Sequence, residues 1–136
     1  MILSKGQRIQ MAEHTAKLEE ANDAFVEAAK AYREAGFADS TGILDAARAW
    51  NERLRGAVTF ADEVTCEIMG YFDDKSEHWQ ESERGEAVQS MISAWSNWIG
   101  SARGITPREL RPEELANLVP YEDLVCSLVD LPCSPD

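Results

Sequence analysis

Apolar residues recur between Ser40 and Tyr71 at Ile43, Ala47, Trp50, Leu54, Ala57, Ala61, Val64, Ile68 and Tyr71. The steps alternate four and three, which is the spacing of a heptad seam, so this stretch predicts one long amphipathic helix. At a rise of about 1.5 Å per residue it extends roughly 45–50 Å. The segment before it carries a matching seam at Met11, His14, Leu18, Ala21, Phe25, Ala28, Tyr32 and Ala35, opening near Ser4 and closing at Gly36, a good left-handed C-cap. Asp39, Ser40 or Thr41 can each N-cap the second helix. The short link Phe37-Ala38-Asp39 between two long helices predicts an antiparallel hairpin, about residues 4–36 and 40–71. Pairing the seams about that link sets Ala35 against Ile43, Phe25 against Leu54, Ala21 against Ala57 and His14 against Val64. Large residues then mostly face small ones, as close packing demands. The Ala21–Ala57 layer, with Gly56 beside it, is the expected point of closest backbone approach.

Gly70 and the polar run Asp73-Asp74-Lys75-Ser76 end the second helix. From Ser76 to Gly85 the chain predicts a helical turn, then a third helix over about residues 82–102, capped by Ser82. Val88, Met91, Ile92, Trp95, Trp98, Ile99 and Ala102 form a wide stripe of period 3.6, broad enough to pack on two neighbours in the groove of the hairpin. Thr106-Pro107-Arg108-Glu109 has the form of a capping box with proline at the first helical position. Beyond it Leu110, Leu115, Leu118, Val119, Leu124, Val125, Leu128 and Leu131 give an apolar face to short helices broken by Pro112 and Pro120. Strand-like alternation is absent. The expected fold is all-α, a long antiparallel hairpin covered by a third helix and short C-terminal helices, in a single domain over residues 1–136.

Length and charge narrow the class. A chain of 136 residues buries about two-thirds of its unfolded surface and needs no disulfide or metal to hold a core. No apolar run approaches the roughly 20 residues of a membrane span, and the opening MILSKGQRIQM lacks the form of a secretory signal. Cys66, Cys126 and Cys133 make an odd count without CxxC spacing, which points away from a disulfide framework and towards a reducing cytoplasm. The net charge of −12 argues against direct binding of nucleic acid or anionic membrane, both of which need a basic face. It favours plain solubility or a basic protein partner.

Candidate chemistry is sparse. His14 lies on the first seam within a turn of Glu63 and Glu67, where a hydrogen-bonded histidine sets register, and His78 sits beside Glu77 and Trp79 as a surface or cap residue. A di-iron bundle needs Glu-x-x-His pairs, but Met11 and Lys75 precede the two histidines by three. The cysteines are too scattered for zinc, and no phosphate loop or nucleophile elbow is present. Carboxylates remain. The chain resembles, in size and class, helical magnesium-dependent nucleotide hydrolases, which gather carboxylates from two helices. Glu19, Glu20 and Asp23 on the first helix and Asp62, Glu63 and Glu67 on the second are expected at similar heights. Only Glu20-Ala-Asn-Asp23 matches half of that family's paired motifs, so Glu20, Asp23, Glu63 and Glu67 stand as an alternative magnesium set for a pyrophosphohydrolase. Otherwise no metal or cofactor is expected.

The densest acidic segment runs from Asp62 to Glu86, with nine carboxylates against Lys75 and Arg84. It is either a solvated face or a surface offered to a basic groove in place of nucleic-acid phosphates. The candidate partner-binding residues are Asp73, Asp74, Glu77, Trp79, Glu81, Glu83 and Glu86. Trp50, Trp95 and Trp98 fall on apolar stripes and belong to the core, whereas Trp79 either caps the open end of the hairpin or anchors a partner. The run SEHWQESERGEAVQSMISAW, Ser76 to Trp95, resembles a segment of small helical proteins of phages and plasmids, in which Ser-Glu-x-Trp-Gln-x-Ser-Glu-x-Gly leads into an amphipathic helix. The resemblance implies a mobile-element origin and no reaction, and by association an inhibitor of a host defence or nucleic-acid-binding complex. The expected function is therefore non-enzymatic binding to a host protein or complex with a basic surface. A second copy of the chain, paired through the hairpin seams, is the partner in a structural or oligomerisation alternative.

Overall fold

The structure, a computed structural model, describes residues 2–105, 112–115 and 127–135. Among the described residues the helices run in the order α1 (Lys5–Glu34), α2 (Thr41–Asp73), α3 (Glu77–Gln80), α4 (Glu83–Ile105) and α5 (Pro112–Leu115). The architecture is the all-α one expected, with no strand among the described residues. None of their helices is long and apolar enough to cross a membrane. The Thr106–Glu109 capping box and Leu110, Leu118, Val119, Leu124, Val125 and Cys126 lie outside the described residues. Pro112 opens α5, as proline at a first helical position can.

Local chemistry sets the helix ends. Ser4 and Gln7 form a capping box: the Gln7 N–H donates to the Ser4 hydroxyl at 3.0 Å, and the Ser4 N–H to the Gln7 side-chain carbonyl at 2.9 Å. At the other end of α1 the Phe37 N–H donates to the Tyr32 carbonyl at 3.0 Å. Gly36 (φ 66) and Phe37 (φ 63) both take the left-handed conformation there. For phenylalanine this costs about 1–2 kcal/mol, offset by an edge-on contact with the Tyr32 ring at 5.2 Å. Asp39 then accepts the Thr41 N–H at 3.0 Å. That bond and one from the Thr41 side chain hold the Asp39 carboxyl below its usual range.

The α2 seam is as the spacing predicts: Ile43 through Ile68 are buried and Tyr71 is half-buried. On α1 the buried line is Met11, Thr15, Leu18, Asn22, Phe25, Ala29 and Tyr32, again in steps of four and three. Ala21 is buried with them, but His14 and Ala28 are only half-buried and Ala35 is an exposed C-cap. The helix is thus rolled towards Thr15 and Asn22, residues whose polarity disguised the seam. Thr15 Oγ1 donates to the Met11 carbonyl at 2.8 Å, and Thr65 Oγ1 to that of Ala61 at 2.7 Å. Each buried hydroxyl is therefore satisfied within its own helix.

The register of the hairpin also differs from the expected pairing. His14 stacks on Phe60 with ring centroids 5.2 Å apart, rather than facing Val64. Gln7 Nε2 donates to Glu67 at 2.5 Å, so the two helices are offset by about one turn from the seam-to-seam match. The reason lies at the turn. Ala35 leaves the helix as its cap, so Tyr32 becomes the last inward layer and shares a cluster with Ile43. Gly56 accordingly lies against the His14 ring and not in a close Ala21–Ala57 layer; a Cβ added there would meet His14 Cε1 at 3.6 Å.

α4 returns along α2, where Trp95 meets Phe60 edge-on at 6.2 Å. It does not fill the groove of the hairpin by itself, because residues 128–133 bridge α4 and the start of α1. Trp95 Nε1 donates to the Pro132 carbonyl at 2.9 Å, the Leu3 N–H donates to the Cys133 carbonyl at 2.8 Å, and Leu3 and Leu128 are buried. The C-terminal segment thus folds back on the bundle. The main core combines α1 up to Ala21, α2 from Trp50, α4 and this segment. Nearer the turn, Phe25, Ala29, Tyr32, Ile43 and Ala47 form a second cluster, which among the described residues draws on α1 and α2 alone.

Candidate functional site

The α2–α3–α4 corner contains every candidate partner-binding residue, and the segment Ser76 to Gly85 explains its shape. Ser76 caps α3 by accepting the Trp79 N–H at 3.2 Å. Trp79 is half-buried, with its ring against Tyr71 at 5.8 Å and Phe72 at 6.2 Å, so it closes the open end of the hairpin. Gln80 Nε2 ties α3 back to α2, donating to the Phe72 carbonyl at 3.0 Å and the Lys75 carbonyl at 3.3 Å. Ser82 donates its hydroxyl hydrogen to the Trp79 carbonyl and accepts the Gly85 N–H at 3.3 Å, which starts α4. Gly85 is buried against the end of α3, where only a residue without Cβ fits the Gln80 carbonyl. Each residue of the Ser-x-x-Trp-Gln-x-Ser-x-x-Gly pattern is used in building the corner.

The carboxylates between them point the other way. Asp73, Asp74, Glu77, Glu81, Glu83 and Glu86 are all exposed, and the ion pairs among the described residues, Arg48–Asp45 and Arg103–Asp62, involve none of them. The corner is a hydrogen-bonded turn with six exposed carboxylates on its outer surface, none of them in an ion pair. The hairpin also brings exposed Lys5 and Arg8 to this end, since neighbouring Gln7 reaches Glu67, and no pattern along the chain shows that proximity. A cavity of about 290 Å³ opens beside Trp79, between the first turns of α4 and the chain's two terminal segments.

The alternative magnesium set is not assembled. Glu67 is level with Gln7, whereas Glu20 and Asp23 lie about 20 Å further along α1 at the helical rise. All four residues are exposed. The expectation of similar heights fails because antiparallel helices bring together residues equidistant from the turn, and these are not. Among the described residues no group of three or more His, Cys, Asp or Glu could hold a metal.

His14 is half-buried in the hairpin as a register residue, stacked on Phe60. Burial lowers its pKa and Lys17 lowers it further, against smaller opposing effects of Glu13 and Glu63. The unfolded chain therefore takes up this proton first as pH falls. The stabilising contribution is full above the ordinary histidine value and declines as pH drops through it towards the lowered one. Melting curves between pH 7.5 and 5.5 should show a loss of stability on acidification that is smaller in His14→Gln; an unchanged slope would remove His14 as its source. His78 is exposed at the corner. Comparison of the chain with known protein families, with curated proteins and with solved structures finds no match.

Proposed function

We propose that this protein is a non-enzymatic binding module that docks through its acidic corner on a basic surface of a host protein or complex. The observation that carries this is the division of labour in Asp73–Glu86: one set of residues builds a hydrogen-bonded turn, and six exposed carboxylates stand outside it, none of them in an ion pair. Unpaired charges held on a fixed scaffold steer a complementary partner and lose little side-chain freedom beyond their own on docking. Trp79 supports the scaffold and offers its remaining exposed part at the centre of the patch. The finer assignment, a mobile-element inhibitor of a host defence or nucleic-acid-binding complex acting in the cytoplasm, rests on the Ser76–Trp95 resemblance and the odd cysteine count. The structural or oligomerisation alternative is less well supported, because the seams it would pair between chains are buried against each other within this one.

The test is capture from a nuclease-treated bacterial lysate at low and high salt, using the parent chain and a Glu77→Lys, Glu81→Lys, Glu83→Lys variant. The parent should retain a stoichiometric partner that salt releases. The variant should lose it while remaining folded, its melting temperature lowered only by the lysines now standing in the first turns of α3 and α4. Full retention by the variant would overturn the proposal.

A further inference from the structure

At the corner the rings of Tyr71 and Trp79 stand at 83° to each other with centroids 5.8 Å apart, like adjoining walls of a cage. A cation already occupies one side of that angle: Lys75 Nζ lies 4.5 Å from the Tyr71 centroid and 5.7 Å from that of Trp79. The same two rings line the 290 Å³ cavity, together with apolar surface from Ile2 and Val88 and the charged side chains of Glu83 and Arg84. We propose that this cavity receives an arginine side chain from a basic protein partner, with its guanidinium against the Tyr71 and Trp79 rings and paired with Glu83.

The inference rests on the acidic-corner reading and names what the corner would grip. Ring faces carry negative charge density and attract cations, as Lys75 demonstrates on these two rings. Among cationic side chains, the guanidinium is planar and weakly hydrated, stacks on aromatic faces and matches a carboxylate through two parallel N–H donors. Its aliphatic stem needs the apolar wall that Ile2 and Val88 supply. The cavity is slightly smaller than those that enclose drug-sized ligands, which suits one side chain. Surrounding carboxylates raise the local concentration of cations at its mouth. Two charges work against the guest, Arg84 on the lining and Lys75 on the rings, and both make the proposal testable.

The experiment is a two-dimensional NMR titration of the full chain with acetyl-Gly-Arg-Gly-amide, following the Trp79 indole N–H, and with the same peptide carrying neutral citrulline in place of arginine. The arginine peptide should shift that signal saturably and bind at least fivefold more tightly than the citrulline peptide. Glu83→Gln should weaken binding at least fivefold, while Arg84→Ala and Lys75→Met should each tighten it. Equal affinity for the two peptides, or no shift with either, overturns the proposal. So does the reverse pattern, weaker binding in Arg84→Ala and tighter in Glu83→Gln, which would mark an anion pocket. The titration contains no partner, and Glu77 and Glu81 do not line the cavity. Loss of the arginine shift with partner capture intact would therefore sink the pocket alone. Capture unaffected by reversing Glu77 and Glu81, with the shift intact, would sink the docking surface alone.

Discussion

Replacing Gly85 with alanine is expected to lower stability by about 3 kcal/mol, at the upper end for forced overpacking. A Cβ at this position would lie 2.2 Å from the Gln80 carbonyl oxygen and 2.4 Å from that of Trp79. Both obstacles are backbone atoms at the end of a helix, so no side chain can swing aside to make room. Relief requires α3 to move away from α4, and α3 carries Trp79, whose ring closes the end of the core against Tyr71 and Phe72. Gly100→Ala in the same helix is the control. Nothing lies within 4 Å of a Cβ at Gly100, so removing a flexible residue from the helix interior should instead add about 0.5–1 kcal/mol. Urea denaturation of the two variants beside the parent measures both effects. A Gly85→Ala chain as stable as the parent would mean that the corner is not close-packed.

Trp95→Ala should cost more, about 3–5 kcal/mol, the range for emptying a large aromatic from a core. Trp95 is completely buried, meets Phe60 edge-on and donates its indole N–H to the Pro132 carbonyl. The substitution therefore leaves a cavity and also releases the segment that joins α4 to the start of α1. Trp95→Phe keeps a six-membered ring and loses the hydrogen bond together with the pyrrole part of the indole, so it should fall short of the alanine variant. In both, cleavage by a protease near residues 128–135 should accelerate, because the tether at Pro132 has gone. A loss below 1 kcal/mol in Trp95→Ala would show that the C-terminal segment is not part of the folded core.

Hairpin, third helix and boundaries are legible because they rest on local signals: a strict four-three spacing on α2, a helix start near Ser4, a left-handed cap at Gly36 and the capping Ser82. What escaped notice depends on which of two nearly equivalent lines along a helix faces inward. Thr15 and Asn22 scored as polar and His14 and Ala21 as better seam residues, although a threonine that bonds its own helix is cheap to bury. Phe60 is buried off the α2 seam, since a single line of residues describes contact with one neighbour and α2 has two. The register differs by about one turn from the seam-to-seam match because nothing in the spacing tells whether Ala35 is a seam residue or a cap. At the candidate site, the acidic run could be read directly, and capping by Trp79 was one of two readings its position allows. The nearness of Lys5 and Arg8, the cavity and the Lys75–Tyr71–Trp79 arrangement could not, as they arise from segments that meet only after folding.

The split of the apolar interior into two clusters has a thermodynamic consequence. Around Trp95 the interior is held by three long helices and a returning segment, so no part of it can open without exposing residues from all of them. Among the described residues, the stretch between Phe25 and Ala47 rests on a smaller set: five buried residues on two helices joined by a six-residue link. Its amides can exchange with solvent by a sub-global opening, in which the last turns of α1 and the first of α2 separate and close again while the rest stays shut. Among the described residues the interior thus falls into two apolar clusters, and hydrogen exchange should be faster at the amides of the Phe25–Ala47 cluster than at those around Trp95.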